Sequence, residues 1–289
     1  MITTAELTYT LASALIVLLL AAAYGFRLAI KGRAHFDRID RQGGSRLLSK
    51  VAMELGYWIL EPVAKLLVWI RITPNEVSWA SLGFGFLAAV CLAIGHFGFG
   101  AIFATISGLL DSVDGMVARI SGVASDAGEI LDAVVDRYVE FFFLSALVIY
   151  YREIWILQAV ALLALLGSFM VTYSTSKAEA LGLTPPRGSM RRPERAVYLT
   201  LGATLSTVSI PLFEPPAESS NPIGYPMVVA LVLVAVAANV SSIRRFWSIA
   251  KAVRVREKDF VSGKSSSEKF SIEGHEATHT NHDPTGVRL

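Results

Sequence analysis

Residues 111–136 read DSVDGMVARISGVASDAGEILDAVVD and lie between two strongly apolar parts of the chain. Asp111 and Asp114 are three residues apart, and Asp132 and Asp136 are four apart, so each pair shares one face of a helix. The short loop ISGVASDA between the pairs makes the two helices antiparallel neighbours. We therefore expect two faces, each with two carboxylates, to meet at one end of a helical hairpin.

The composition is that of an integral membrane protein with several spans. Of the 289 residues, 53% are hydrophobic and 17% are charged, and the mean hydropathy is +0.52. A soluble domain usually carries more charge, roughly 25%. Several apolar runs approach the ~20 residues that a bilayer-spanning helix needs. The single cysteine, Cys91, lies in one of these runs and excludes a disulfide within the chain.

The pattern of apolar runs predicts an all-α protein. A first span at about 8–30 is followed by a basic linker at 31–50. Residues 50–70 mix charged residues with tryptophans, which is typical of an amphipathic helix on the membrane surface. We expect 244–258 to continue the last helix and the polar end, 263–289, to be disordered. Six further spans are predicted at about 76–95, 98–119, 127–149, 153–180, 194–213 and 222–243.

The basic residues are distributed unevenly between the two sets of connections. One set contains the linker, Arg71, Arg119, the cluster at 177–195 and the basic residues of 244–256, whereas the opposite set holds Arg152 alone. Because cytoplasmic connections carry an excess of Lys and Arg, we expect the aspartate stretch and the C-terminus to be cytoplasmic. The same rule favours an uncleaved first helix with the N-terminus outside.

Four carboxylates at the end of a membrane helix require cations that neutralise their charge. Their hard oxygen ligands suit Mg²⁺ or Mn²⁺, and two such ions can clamp a diphosphate and stabilise the charge on the attacking and leaving oxygens. Gly115 and Gly128 remove side chains where a ligand could approach closely. Arg119 is placed to pair with a phosphate. The stretch therefore indicates a metal-assisted reaction of a diphosphate.

The same residues resemble a known family, the CDP-alcohol phosphotransferases, also called CDP-alcohol phosphatidyltransferases. The resemblance extends over about 47–245 and implies a six-helix transmembrane bundle preceded by an interfacial amphipathic helix. Residues 1–46 are then an extra N-terminal transmembrane anchor with its linker, and 246–289 are a polar tail. Every fixed position of the family signature is matched, namely by Asp111, Asp114, Gly115, Ala118, Arg119, Gly128, Asp132 and Asp136.

The resemblance implies an enzyme of phospholipid biosynthesis. Members move a phosphatidyl group from CDP-diacylglycerol (CDP-DAG) to an alcohol and release CMP. Asp136 would be the general base on the acceptor hydroxyl. The resemblance further implies a homodimer among membrane lipids, in the bacterial inner membrane, without a nucleic-acid partner. Two Mg²⁺ or Mn²⁺ ions would be held by Asp111, Asp114, Asp132 and Asp136, and CDP would be bound by Asp111, Asp114, Gly115, Ala118, Arg119 and Gly128.

The basic stretch 172–199 is the candidate acceptor region. It resembles that of phosphatidylinositol-phosphate and archaetidylinositol-phosphate synthases, with Lys177 in place of an arginine. The resemblance favours inositol phosphate as the acceptor, bound by Lys177, Arg192 and Arg195. Glycerol 3-phosphate or another polyol remains an alternative. The matching residues are Tyr173, Ala178, Glu179, Gly182, Arg192, Pro193, Glu194 and Arg195.

Two hypotheses from other classes remain. An ion or proton transporter could use Asp132, Asp136 and Glu140 along its pathway, but acids should then appear in several spans. An intramembrane prenyltransferase also binds diphosphate through aspartates, but it usually has two separate Asp-rich motifs. Arg137 and Glu140 are three residues apart, and we expect them to form a local ion pair.

Overall fold

The computed structural model describes residues 3–31, 50–184, 188–214 and 221–261. Within these ranges every regular element is an α-helix, as the sequence predicts. Most of the predicted linker 31–50 and the predicted disordered end 263–289 lie outside the described residues. The eight helices are α1 (Thr4–Lys31), α2 (Lys50–Trp69), α3 (Pro74–Ala93), α4 (Phe97–Ile120), α5 (Asp126–Tyr150), α6 (Trp155–Ala180), α7 (Arg192–Phe213) and α8 (Tyr225–Val261).

Six of the described helices are long and apolar enough to cross a membrane, namely α1, α3, α4, α6, α7 and α8. The predicted span 127–149 is α5, which has the required length of 25 residues but carries acidic and basic residues in its first half. It nevertheless packs between α3 and α6. The charged half of α5 is therefore a specialised part of the bundle.

Helix α2 packs on the bundle without being one of these candidate spans. Leu60 and Ala64 are buried against α4, whereas Trp69 is 78% exposed. Pro62 lies inside the helix, which continues through it. This division between a packed face and an exposed aromatic residue fits the predicted helix on the membrane surface.

Helix α3 packs against both α4 and α5. The Ser81 hydroxyl donates to the Ser107 carbonyl over 3.0 Å, and the Ser107 hydroxyl donates to the Ser81 carbonyl over 2.8 Å. A Cβ on Gly85 would lie 2.8 Å from a methyl group of Val139 on α5. Small residues thus bring three helices close together. The expected α4–α5 hairpin is correct only near its connection, because α3 packs along the rest of both helices.

Two of the three clusters of buried apolar side chains in the described residues hold most of the helices together. The larger cluster contains residues of all six helices from α3 through α8, among them Phe97, Leu147 and Leu231. The smaller cluster joins α2 and α3 to the end of α4 around Val113 and Val117. The second cluster fixes the turn of α4 that carries the predicted site.

Helix α1 is attached to the bundle through a buried carboxylate. Glu6 is fully buried and accepts a hydrogen bond of 2.8 Å from the backbone N–H of Gly98, in the first turn of α4. The Nδ1 atom of His96 lies 2.9 Å from its other oxygen. A negative charge is stabilised at a helix N-terminus, where backbone N–H groups lack partners. Gly98 permits this approach, because a Cβ there would lie 2.8 Å from Glu6 Cγ.

The far end of α1 is attached to α2. The hydroxyl of Tyr24, which is 2% exposed, donates to Glu54 over 3.1 Å. The guanidinium of Arg27 lies 5.9 Å from the centre of the Tyr24 ring and 5.8 Å from that of Trp58. Between these two attachments α1 exposes four leucines, one isoleucine and one valine. It is therefore fixed at both ends and apolar in the middle.

Glu6→Ala should destabilise the protein by about 1–3 kcal/mol, because it leaves the buried Gly98 N–H without its acceptor. Glu6→Gln, which keeps an oxygen acceptor, should lose less. The loss is measured as a lower thermal-unfolding midpoint in detergent. Thr8→Ala, at an exposed position on the same helix, is the control and should leave the midpoint unchanged. Equal midpoints for Glu6→Ala and Thr8→Ala would contradict this account of the α1 attachment.

Candidate active site

The last turns of α4 and the first turns of α5 bring three carboxylates together. Asp111, Asp132 and Asp136 each offer one oxygen, and these oxygens lie within 4.8 Å of one another. Ser125 caps α5 by accepting a 3.2 Å hydrogen bond from the N–H of Gly128. This cap starts α5 immediately after the short connection, so that Asp132 and Asp136 face Asp111. The three residues are half-buried.

The donor set of this cluster fits a hard divalent cation. It consists of carboxylate oxygens alone, the ligands that Mg²⁺ and Mn²⁺ prefer. Among the described residues, a Cβ at Gly128 would lie within 4 Å of the Ser125 hydroxyl alone, at 3.4 Å, so the start of α5 leaves room beside the cluster. The residues therefore fit the predicted metal at three of the four expected ligands.

Asp114, the fourth expected ligand, is bound to a neighbouring helix. It is 5% exposed and accepts a 2.6 Å hydrogen bond from the Ser78 hydroxyl of α3. It lies outside the group of three mutually close carboxylates. Its second oxygen and its place one turn from Asp111 keep it a predicted ligand.

Arg192, in the first turn of α7, extends into the carboxylate cluster. Its Nη1 atom lies 3.2 Å from both carboxylate oxygens of Asp111 and contacts Asp136 as well. Its side chain is 27% exposed, so these interactions are only partly screened by solvent. A residue that the sequence assigned to the acceptor therefore also contacts the predicted metal ligands.

The segment around Arg192 is shaped by its neighbours in the sequence. Pro193 is favourable in the first turn of a helix, and Glu194 accepts hydrogen bonds from the N–H groups of Met190 and Arg191 over 2.7 and 3.3 Å. Met190 has a φ of 61°, which is uncommon for a residue with a side chain. The hydrogen bonds to Glu194 hold this backbone and so fix the position from which the Arg192 side chain extends.

Arg195 is 1% exposed and bonded through each of its nitrogen atoms. Nε and Nη2 donate to Glu140 over 2.6 and 2.8 Å, and Nη1 donates to the Met190 carbonyl over 2.6 Å. The expected Arg137–Glu140 pair is therefore wrong, because Glu140 takes the bidentate geometry that Arg195 offers. Arg137 instead donates to the carbonyl of Ala133.

A cavity of about 460 Å³ adjoins the carboxylate cluster. Arg192 lines this cavity and also touches Asp111 and Asp136, so the two features are contiguous. Arginine is the residue of choice for phosphate because it is always charged and offers a planar fork of donors. The cavity is lined by five arginines, Arg137, Arg191, Arg192, Arg195 and Arg245.

Arg245 of α8 is one of the cavity residues that sequence reasoning did not select. It is 7% exposed, and its Nη1 atom donates to the Thr175 hydroxyl over 3.2 Å. Within the described part of the chain its buried Nε atom has no hydrogen-bond partner. A Cβ on Gly188 would lie 2.8 Å from that atom. In the sequence Arg245 is one of two arginines directly after an apolar span. Such a residue is expected from the positive-inside rule alone, so it did not indicate a binding site.

The other predicted site residues have different surroundings. Gly115 and Ala118 are half-buried on α4, and Arg119 is exposed near the end of that helix. Lys177 is exposed near the end of α6 and lies outside the wall of the cavity, to which Thr175 and Ser176 contribute instead. The predicted CDP residues thus lie along one stretch of α4, with Gly128 at the start of α5.

This arrangement combines two chemical capacities. Clustered carboxylates can hold divalent cations, which stabilise charge on a diphosphate. The arginine-lined cavity can hold a second anionic group beside them. Asp136 contacts Arg192, which lines the cavity, and so is close to both regions. The geometry therefore suits transfer between a diphosphate and a small phosphorylated molecule.

Comparison with known proteins shows a family to which this chain is similar. The profile of the CDP-alcohol phosphatidyltransferases matches residues 71–240. A phosphatidylinositol phosphate synthase of Corynebacterium glutamicum is 32% identical over 158 residues, which are 53% of this chain and 72% of that protein. An archaetidylinositol phosphate synthase of Pyrococcus horikoshii is 29% identical over 155 residues, 53% of this chain and 81% of that protein.

The solved structures include a relative with the same fold. The phosphatidylinositol phosphate synthase of Mycobacterium tuberculosis, 26% identical, superposes with a TM-score of 0.57 in its complex with manganese and citrate, covering 65% of this chain and 87% of that one. The form with CDP-DAG bound gives the same TM-score and covers 66% and 93%. With its signature aspartates clustered and its sequence profile matched over more than half its length, this chain belongs to the CDP-alcohol phosphatidyltransferase family.

Proposed function

We propose that this protein transfers a phosphatidyl group from CDP-DAG to inositol phosphate and releases CMP. The observation that carries the proposal is the contact of Arg192 with Asp111 and Asp136, which joins the carboxylate cluster to the arginine-lined cavity. Two relatives named for inositol phosphate lipids and a relative solved with CDP-DAG support it. The family leaves no support for the transporter and prenyltransferase hypotheses.

Asp111, Asp132 and Asp136 would hold the divalent cations, with Asp114 as the further ligand. Mg²⁺ or Mn²⁺ would neutralise the diphosphate and stabilise the charge on the leaving CMP. The manganese complex of the Mycobacterium tuberculosis relative supports this assignment. The turn of α4 that follows Asp114, with Gly115, Ala118 and Arg119, would contact the CDP moiety, as the family signature implies.

The cavity would bind the acceptor through its phosphate. Arg191, Arg192 and Arg245 line it, and the unpartnered Nε of Arg245 is a donor for a phosphate oxygen. Arg195 would contribute mainly to the wall of the cavity, because three of its five N–H donors already bind Glu140 and Met190. It would fix the wall from which Arg192 projects. A neutral or cationic alcohol would bring no negative charge to these arginines.

The acceptor hydroxyl would attack the phosphorus atom that bears the diacylglycerol. A new P–O bond to inositol phosphate forms, the P–O bond to CMP breaks, and Asp136 takes the hydroxyl proton. Asp136 suits this role because it contacts Arg192 at the wall of the cavity. Positioning of the two substrates in line contributes the larger part of catalysis in phosphoryl transfer.

The setting of the reaction is part of the proposal. We expect the site to face the cytoplasm of a bacterial cell at the inner membrane, because most basic residues of the connections lie at the same helix ends as the site. The catalytic unit would be 47–245 with α1 attached to it, although α8 itself continues beyond residue 245. A homodimer, implied by the family resemblance, stays a prediction that crosslinking in native membranes can test.

An acceptor panel tests the proposed reaction. Membranes containing the protein should release CMP from CDP-DAG with Mn²⁺ when inositol phosphate is added, and glycerol 3-phosphate should be a poorer acceptor. Free inositol, serine and choline should give background rates, because they carry no phosphate for the cavity. Chelation of divalent ions should abolish the release. Turnover with free alcohols alone would contradict the phosphate pocket.

Asp136→Asn should lower CMP release by at least about 100-fold, the usual contribution of general acid–base catalysis. Asp126→Asn, at an exposed position in the first turn of the same helix, is the matched control and should retain activity. Mn²⁺ binding measured in parallel separates the two roles of Asp136. A variant that turns over normally would refute the base assignment.

Arg245→Gln should raise the KM for inositol phosphate by about tenfold or more, since hydrogen bonds to charged groups contribute about 1.5–3 kcal/mol. The KM for CDP-DAG should change little. Lys177→Gln, a change at an exposed cation outside the cavity wall, should have a small effect on both. A larger loss from Lys177→Gln than from Arg245→Gln would place the phosphate site outside the cavity.

A further inference from the structure

The last helix is much longer than a membrane requires. Helix α8 has 37 residues, which is about 55 Å of helix at 1.5 Å per residue, whereas the hydrocarbon core is about 30 Å thick. Counted from Tyr225, about 20 residues cross the core, and this length ends at Arg244. The following turns lie on the same side as the arginine-lined cavity, because Arg245 is part of its wall.

These turns have two opposite faces. Arg245 and Ile249 are buried, Val253 is half-buried, and Arg256 donates to the Leu181 carbonyl at the end of α6 over 2.9 Å. Their spacing of four, four and three residues puts them on one face of the helix. That face holds the extension against the bundle.

The opposite face is a cationic stripe, which we define as Arg244, Trp247, Lys251, Arg254 and Lys258. The spacing of three, four, three and four residues is that of a single helix face, and all five residues are exposed. Trp247 is 77% exposed. From Arg244 to Lys258 the sequence contains six basic residues and one acidic residue. The stripe points away from the bundle, and the one acidic residue, Glu257, lies beside its far end, three residues from Arg254.

We propose that the cationic stripe binds the anionic phospholipid headgroups of the membrane leaflet on the site's side. Trp and basic residues at the end of a span are suited to the headgroup layer. Trp247 favours a lipid surface over a nucleic acid or an acidic protein, because an exposed indole is stable at the boundary between chains and headgroups. The stripe would thereby gather anionic lipid beside the arginine-lined cavity.

The geometry predicts a gradient along the stripe. Arg244, Trp247 and Lys251 lie within about 10 Å of the end of the core along the helix, at headgroup depth. Arg254 and Lys258 lie further along the helix. They are separated from the headgroups by more than roughly one screening length, which is about 8 Å at physiological salt. The first two cations should therefore determine lipid preference, and the last two should add little.

Quenching by brominated lipids tests the proposal on the full chain in nanodiscs. The Trp247 signal is the difference between the wild type and Trp247→Phe, and the brominated lipid is either phosphatidylglycerol or phosphatidylcholine at equal mole fraction. We expect stronger quenching by phosphatidylglycerol, corresponding to about fivefold enrichment for each cation in contact. The preference should disappear in high salt and in Arg244→Gln/Lys251→Gln.

Three comparisons decide the outcome. Arg254→Gln/Lys258→Gln should keep most of the preference, and Lys65→Gln/Arg152→Gln, at exposed cations elsewhere, should keep all of it. Equal quenching by the two lipids in the wild type would overturn the proposal. So would a preference that appears only after residues 262–289 are deleted, since the stripe would then bind an acidic segment of its own chain. Acceptor-dependent activity is recorded separately and does not enter this test.

Discussion

The repulsion between the carboxylates at the junction of α4 and α5 is the constraint on which the other features of the site depend. Oxygens of Asp111, Asp132 and Asp136 lie within 4.8 Å of one another, at the end of helices packed in an apolar bundle, and they require cations there. Arg192 supplies one positive charge from α7. The hydrogen bond from Ser78 holds Asp114, the neighbouring carboxylate, in a fixed orientation. The bundle thus contains a negative site that is stable only when positive groups complete it.

The arginine-lined cavity presents the opposite problem. Of the acids near its five arginines in the described structure, Glu179 lines the cavity wall, Glu140 binds Arg195, and Asp111 and Asp136 contact Arg192. The remaining guanidinium groups favour an anionic guest. Because Arg192 belongs to both regions, the negative and positive parts of the site share a residue. The phosphate of the acceptor would neutralise the arginines, and the cations that come with the diphosphate would neutralise the carboxylates. One site therefore suits both substrates.

Local periodicity made much of this predictable. The spacing of the aspartates lies within two helices, and the helices follow from apolar runs, so the sequence predicts the all-helical fold and the closeness of Asp111, Asp132 and Asp136. Contacts between distant segments were not predictable. Arg137 and Glu140 have the spacing of an intrahelical pair, yet Glu140 binds Arg195, whose planar fork matches both carboxylate oxygens. Lys177 and Thr175 are two residues apart on α6, and only tertiary packing decides that Thr175 faces the cavity. The insertion of α3 along α4 and α5 depends on small residues whose partners are on other helices.

The attachment of α1 constrains which residue related chains can carry at position 98. Gly98 lies inside the region that the family profile covers, whereas Glu6 and Thr10 lie outside it. A Cβ at residue 98 would collide with both of them and with the Cγ2 methyl of Thr207 on α7, although the helix itself would tolerate alanine well. A glycine at this position therefore serves the packing of α1 and α7 on α4 rather than catalysis. In chains that have lost α1, a side chain here would still meet Thr207, so the loss of the first helix would relax the constraint on residue 98 without removing it.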